Sequence, residues 1–130
     1  MDGVILVVED MPGVRRVVTM QLEAAGHRVV AAGSVAEGIE VALDEPRAIA
    51  ALVADLALPD GDGTALAQRV REIRPELRAV LYISGHPEAR LGDAAELPPG
   101  HRLLAKPFRA HELLASLAEA LRDADGRSTR

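Results

Sequence analysis

The chain has 130 residues, the size of one domain built around one hydrophobic core. Its hydrophobic fraction of 48% and charged fraction of 27% are typical of a soluble globular protein, and its net charge of −5 argues against direct nucleic acid binding. It has no cysteine for disulfides or thiolate chemistry, and neither a basic leader nor an apolar run of ~20 residues directs it to a membrane. We therefore expect a cytoplasmic protein.

A change of hydrophobic period indicates the first strand and helix. Val4 to Val8 is a continuous apolar run that predicts a strand buried on both faces, and it ends at the acids Glu9 and Asp10. Apolar residues then recur at helical spacing after Pro12, which suits a first helical turn, until Gly26. The first unit is therefore a strand followed by a helix.

The second and third strands repeat this pattern. Residues 28–32 predict a strand, and the S-x-x-E pattern that starts at Ser34 is typical of a capping box at the N-terminus of a helix. Residues 49–54 predict another apolar strand that ends at an acid, Asp55, and residues 58–63 are rich in turn formers. A charge at the carboxyl end of a strand is thus a recurring feature.

The second half of the chain continues the alternation. An apolar helical stripe predicts a third helix that ends before Pro75, and residues 79–83 predict a fourth strand that ends at Ser84. Alanines and charges give residues 87–97 little apolar stripe, so we expect a short or mobile helix there. Residues 102–105 predict a brief fifth strand.

A final leucine-rich helix completes the domain, which we place at residues 1–122, with a flexible C-terminal tail at residues 123–130. Five strands alternating with five helices predict an α/β fold with a five-stranded parallel sheet. Right-handed crossovers favour a flavodoxin-like, doubly wound (βα)5 three-layer sandwich. Ligands bind such sheets at the carboxyl ends of the strands.

Five polar side chains fall at the carboxyl ends of the predicted strands: Glu9, Asp10, Asp55, Ser84 and Lys106. Three carboxylates gathered at one edge of a sheet repel one another, and the usual remedies are a raised pKa or a bound hard cation with oxygen ligands. Mg²⁺ is favoured because it binds one or two carboxylates, keeps several waters and bridges to phosphate oxygens. The pattern therefore indicates magnesium-dependent phosphoryl chemistry.

From about residue 4 to residue 121, the chain resembles the receiver domain of two-component response regulators. Four motifs carry the resemblance, and they are specific because they occur together, in order, each at a strand end. They are the acidic pair Glu9-Asp10, the D-x-x-L-P-x-x-D-G run from Asp55 to Gly63, the pair Ser84-Gly85, and Lys106-Pro107-Phe108.

The resemblance implies that Asp55 accepts a phosphoryl group from the phosphohistidine of a histidine kinase or phosphotransfer protein. It also implies that Mg²⁺ is bound by Asp10, Asp55 and the backbone carbonyl of Ala57, and by Glu9 either directly or through water. A domain of this kind catalyses its own phosphorylation and dephosphorylation and is not a turnover enzyme on external substrates.

The same resemblance assigns Lys106 and Ser84 to the phosphoryl oxygens, Lys106 as a point charge and Ser84 as a hydrogen-bond donor that moves toward the new phosphate. Pro107 follows Lys106 through a peptide bond that is cis in many relatives. Relatives commonly couple the serine movement to an aromatic side chain three residues before the lysine, where this chain has Leu103. The residues for phosphate acceptance are therefore present, whereas the aromatic residue of the usual output is absent.

Other interpretations use the same residues. The fold alone would serve a phosphate-independent protein-interaction module, which the intact set of site residues disfavours. Residues 60–64 spell the D-x-D-G-T of haloacid-dehalogenase-type phosphatases, although Pro59 interrupts the approach and the chain is short for that fold plus a cap. A calcium loop is excluded because Ala65 stands at the required glycine and Arg71 at the required glutamate.

The histidines at positions 27, 86, 101 and 111 show no metal-ligand spacing, so we interpret them as surface or capping residues. A single acid at a strand end is more often a turn former or helix cap, and only the combination of acids with Lys106 favours a site. For the assembly, we expect a monomer or a weak dimer.

Overall fold

The computed structural model describes residues 3–85 and 100–128 of the chain. Its strands are β1 (Val4–Val8), β2 (Val29–Ala32), β3 (Ile49–Asp55), β4 (Ala57–Leu58), β5 (Gly61–Asp62), β6 (Ala79–Ser84) and β7 (His101–Ala105). Its helices are α1 (Pro12–Ala24), α2 (Val35–Asp44), α3 (Gly63–Ile73) and α4 (Ala110–Ser128). The helix predicted within residues 87–97 lies outside the described residues.

Five strands form one parallel sheet in the order β2-β1-β3-β6-β7, which confirms the predicted α/β fold. The sheet extends from β1 in both directions, since β2 pairs with one side of β1 and β3 with the other. Parallel strands need crossover connections, and α1 lies in the connection from β1 to β2 and α2 in the connection from β2 to β3. Because the strands are parallel, their carboxyl ends meet at one edge of the sheet.

The hydrophobic core has two halves, because alternate residues of a strand face opposite sides of the sheet. On one side, Leu6 and Leu52 pack in a cluster with residues of α2 and α3. On the other side, Val7 and Val53 pack with residues of α1 and α4. All four of these strand residues are fully buried. The sheet is thus covered on both faces, as a three-layer sandwich requires.

Ser34 caps the N-terminus of α2 as the S-x-x-E pattern predicts, whereas Glu37 reaches the N–H of Gly33 and not the Ser34 N–H of a standard capping box. The Ser34 hydroxyl accepts a hydrogen bond from the Glu37 backbone N–H at 3.1 Å, and the Glu37 carboxylate accepts one from the Gly33 N–H. Two backbone donors of this helix start are therefore satisfied by the helix's own residues.

Residues 58–63, predicted as a turn, contribute to a small antiparallel hairpin that the sequence analysis missed. The strands β4 and β5 have two residues each and pair Ala57 with Asp62 and Leu58 with Gly61. The Asp62 carboxylate then accepts a hydrogen bond from the Ala65 N–H at 2.8 Å and so caps α3. The segment after β3 is therefore an ordered link between the sheet and α3.

The boundary predicted after residue 122 lies inside α4, which continues to Ser128. Asp123 accepts a hydrogen bond from Arg102 of β7 at 2.7 Å, and Glu119 lies 3.5 Å from the same guanidinium. These pairs link Glu119 and Asp123 of the helix to Arg102 in the edge strand β7. The tail predicted at residues 123–130 thus begins within the described helix. In the described part of the chain, no helix has the length and apolarity needed to cross a bilayer.

His101 is not the surface residue that the sequence analysis predicts. It lies half-buried at the start of β7, with Nδ1 3.2 Å from the Tyr82 hydroxyl and the two ring centroids 5.8 Å apart. Burial lowers the pKa of His101 to about 4 and raises the pKa of Tyr82 to about 12. Both side chains are therefore neutral at physiological pH. His86 lies outside the described residues.

The lowered pKa of His101 predicts an acid-sensitive stability. Between about pH 4 and its ordinary value of 6.5, the unfolded chain binds more protons at this residue than the folded protein does. The stabilisation by neutral His101 is present above pH 6.5 and is lost as the pH falls toward 4. The unfolding free energy of the native chain should therefore decrease as the pH falls from 6.5 to 4. In His101→Gln, which has no imidazole to protonate, we expect this decrease to be smaller by about 2 to 3 kcal/mol.

Urea denaturation followed by circular dichroism at a series of pH values measures this difference. The comparison is between slopes with pH, because loss of the Tyr82 contact shifts the stability of the variant at every pH. His111→Gln, at an exposed position in α4, is the matched control. Parallel stability curves for the native chain and His101→Gln would contradict the prediction.

Candidate functional site

The carboxyl ends of the central strands bring the predicted acids together. Glu9 and Asp10 directly follow β1, and Asp55 is the last residue of β3. One carboxylate oxygen from each of the three lies within 4.8 Å of the others. Glu9 is fully buried, Asp55 is 6% exposed and Asp10 is exposed. The cluster therefore has a buried floor and an open side, where a cation or an anionic partner can enter.

Lys106 supplies the positive charge of the cluster from the end of β7. Its Nζ donates a hydrogen bond to Asp55 Oδ2 at 2.7 Å and lies 3.1 Å from Glu9 Oε1. Burial alone would lower the pKa of Lys106, but its contacts with Asp55 and Glu9 outweigh this effect and raise the pKa. The ammonium group therefore stays charged between two carboxylates.

Glu9 is the residue of the cluster whose negative charge is most disfavoured by burial. Burial raises the pKa of Glu9 to about 7, although the Met11 N–H donates to Oε2 at 3.1 Å and Lys106 lies close by. Its buried Oε1 lies 3.1 Å from Lys106 Nζ, and Lys106 also binds Asp55. One ammonium group is thus shared between two buried carboxylates. The donor set is all oxygen and in excess of its cationic partner, which fits a hard divalent cation.

The backbone around Asp55 fixes the direction of its carboxylate. Oδ1 accepts a hydrogen bond from the Ala57 N–H at 2.9 Å, so the side chain folds over the start of the β4–β5 hairpin. The Leu56 N–H donates to the Ile83 carbonyl at 3.0 Å, and the Gly63 N–H donates to the Leu56 carbonyl at 2.9 Å. The first turn of α3 therefore presses directly against the peptide that follows Asp55.

Ser84 stands at the end of β6, next to β3 in the sheet. It is 3% exposed, its neighbour Ile83 pairs with Asp55, and its carbonyl accepts the Lys106 N–H at 2.8 Å. The structure thus places Ser84 between the strand of Asp55 and the residue that carries the ammonium group. The peptide bond between Lys106 and Pro107 is cis, as the resemblance implied.

Leu103 occupies the position of the aromatic residue in relatives. It pairs with Tyr82 in the register of β6 and β7 and packs, partly buried, against the core cluster on the α2 and α3 side of the sheet. Its aliphatic side chain has no polar tip that could report the state of Ser84 by a hydrogen bond.

Sequence reasoning missed two polar contacts around the cluster. The Arg15 guanidinium of α1 donates to the Glu9 carbonyl at 2.9 Å, and an arginine one turn into the helix after an acidic pair was the available signal. The Asp60 carboxylate accepts hydrogen bonds from the Val35 and Ala36 N–H groups at 2.8 and 3.0 Å. No local pattern relates Asp60 to residues so far away in the chain.

Comparison with known proteins points to one family. Residues 5–118 match the family model of the response regulator receiver domain. The response regulator receiver protein CpdR of Brucella abortus is 32% identical over 117 residues, which cover 90% of this chain and 95% of CpdR. A crystal structure of a response regulator receiver protein from Sinorhizobium medicae matches with a TM-score of 0.79 at 31% identity, covering 95% of this chain and 97% of that protein.

Longer proteins are also similar over the same region. The sensor kinase CckA of Brucella abortus is 28% identical over 95% of this chain, which spans only 13% of the kinase. The similarity therefore concerns one domain of that protein.

The close approach of α3 to Asp55 predicts that any side chain at position 63 destabilises the fold. A Cβ at Gly63 would lie 2.5 Å from the Asp55 carbonyl oxygen and 3.1 Å from Leu56 Cα, and backbone atoms cannot move aside cheaply. We expect Gly63→Ala to lower the unfolding free energy by about 2 kcal/mol. Gly13→Ala is the matched helical control, because a Cβ there meets nothing within 4 Å.

Urea denaturation of both variants checks this expectation. The Gly13→Ala variant should be neutral or gain up to about 1 kcal/mol from the higher helix propensity of alanine. Equal unfolding free energies for the two variants would contradict the account of the Asp55 backbone.

Proposed function

Because the chain belongs to the response regulator receiver domain family of two-component signalling, we propose that Asp55 is its phospho-acceptor. The donor is the phosphohistidine of a histidine kinase or of a phosphotransfer protein. The observation that carries the proposal is the 2.7 Å contact of Lys106 Nζ with Asp55 Oδ2, inside a cluster of carboxylates that is open on the Asp10 side. A cytoplasmic location and a monomer or weak dimer remain predictions from the sequence.

We assign Mg²⁺ to the cluster of Glu9, Asp10 and Asp55, with the backbone carbonyl of Ala57 as a further ligand. Three carboxylate oxygens within 4.8 Å of one another and a single ammonium group shared between the buried Glu9 and Asp55 support this assignment. When bound, the ion supplies positive charge that offsets the repulsion between these acids and the oxygens of an incoming phosphoryl group.

The reaction requires an exposed line of approach and a positioned nucleophile. A carboxylate oxygen of Asp55 forms the new bond to phosphorus while the bond from phosphorus to the donor imidazole nitrogen breaks, and the electron pair returns to the imidazole. Hydrogen bonds from Ala57 N–H and Lys106 hold the carboxylate in one orientation before the donor arrives. Positioning of this kind lowers the entropic part of the barrier.

Two residues of this chain then stabilise the product on Asp55. Lys106 exchanges its contact with the carboxylate for one with a phosphoryl oxygen, which keeps the ammonium group paired. Ser84, one strand away, donates its hydroxyl hydrogen to another phosphoryl oxygen. A phosphate-independent interaction module is less consistent with these residues, since such a module has no need of an acidic cluster with a lysine at its centre.

Intact-protein mass spectrometry tests the proposal. Incubation with acetyl phosphate and Mg²⁺ should add a single phosphoryl group to the native chain, and EDTA should prevent it. The Asp55→Asn variant should remain unmodified, whereas Asp44→Asn, an exposed acid at the end of α2, should be modified as the native chain is. An unmodified native chain, or the same adduct on Asp55→Asn, would contradict the assignment.

A further inference from the structure

The segment that carries Ala57 has little stability of its own. It consists of β4 and β5, two residues each, with a hairpin turn of Pro59 and Asp60 between them. An isolated two-stranded hairpin is marginal in water even at greater length. The position of the Ala57 backbone therefore depends on contacts that anchor the hairpin to the rest of the protein.

Two aspartates anchor the hairpin to two different helices. At its end, Asp62 caps α3 through the Ala65 N–H at 2.8 Å. At its tip, Asp60 Oδ1 accepts the Val35 N–H at 2.8 Å and Oδ2 accepts the Ala36 N–H at 3.0 Å. Both carboxylate oxygens of Asp60 are thus engaged by α2, far away in the sequence.

Asp60 does not duplicate the cap that α2 already has. The side chains of Ser34 and Glu37 satisfy the N–H groups of Glu37 and Gly33, whereas Asp60 satisfies those of Val35 and Ala36. The two sets share no donor. Hydrogen bonds from Ala36 and Val35 lower the pKa of Asp60, so its carboxylate is ionised and suited to the positive end of the helix.

Helix α2 also packs against β1, through Gly38. A Cβ at Gly38 would lie 3.0 Å from Val8 Cγ2, so the helix touches the residue that directly precedes Glu9. At the hairpin end, a Cβ at Gly61 would lie 3.2 Å from Val35 Cγ2, so the turn sits against the first residue of α2. A continuous path of contacts therefore runs from the hairpin through α2 to β1.

We propose that Asp60 is a positioning residue for the metal site: by clamping the hairpin to α2, it sets the Ala57 backbone relative to Glu9 and Asp10. This inference rests on the assignment of Mg²⁺ to these residues in the proposed function. Asp60 itself does not bind the ion. It acts through the hairpin, as outer residues of metal sites act through the ligands that they orient.

Calorimetric titration of the purified full chain with MgCl₂ tests the inference, with urea denaturation of each variant in parallel. Asp60→Ala should weaken Mg²⁺ binding about tenfold, the lower end of the effect of removing an outer support of a metal ligand. Asp60→Asn should lose less, because its amide oxygen still accepts one of the two N–H groups. Ser34→Ala should lower the urea midpoint yet leave the Mg²⁺ affinity within twofold of the native value.

Three results would overturn the inference. An Asp60→Ala variant with native Mg²⁺ affinity and a lowered urea midpoint would show that Asp60 only caps the helix. Equal losses of affinity in Asp60→Ala and Asp60→Asn would show that the lost charge matters and the clamp does not. If Asp60→Ala does not fold, Asp60→Asn decides between these outcomes by comparison with Ser34→Ala. A native chain without Mg²⁺ binding would refute the metal assignment as well, which distinguishes that failure from the others.

Discussion

The ammonium group of Lys106 is the interaction on which the candidate site depends. It contacts Asp55 and Glu9 at the same time, and both carboxylates are almost completely buried. Removing one partner of such a group would leave uncompensated charge in a poorly solvated place, which costs several kcal/mol. Even with Lys106 present, burial keeps the pKa of Glu9 raised to about 7. The described site thus has three carboxylates and one ammonium group, an imbalance that a bound divalent cation would correct.

The fold makes this arrangement possible because every strand of the main sheet runs in the same direction. Strands β1, β3, β6 and β7 each contribute a polar side chain at or just after their carboxyl ends, and their apolar residues fill the two halves of the core. The buried strands fix the backbone, while the acidic side chains sit where the sheet stops. The β4–β5 hairpin follows β3, the strand that ends at Asp55, and its hydrogen bonds connect that strand to both α2 and α3.

Much of this could be predicted from the sequence because the signals are local. A β-branched run that ends in an acid marks a strand and its polar end, and the spacing from Ser34 to Glu37 marks a helix start. The remaining contacts join residues that are distant in the chain, as Asp60 joins Val35. The burial of His101 depends on how β7 packs at the edge of the sheet, and local polarity does not report it. Tertiary contacts of this kind decide geometry, while local patterns decide which elements exist.

The measurement that tests the central claim most directly is the unfolding free energy of the native chain as a function of Mg²⁺ concentration at constant ionic strength. A site built with an excess of carboxylate predicts stabilisation that grows with the logarithm of the ion concentration and reaches about 2.7 kcal/mol at a hundredfold excess over Kd. Asp10→Asn should remove most of this stabilisation, because it removes one carboxylate of the proposed metal site. The exposed Asp10 side chain supports little of the core, so the variant should still fold. A stability independent of Mg²⁺, or equal stabilisation of Asp10→Asn, would contradict the account.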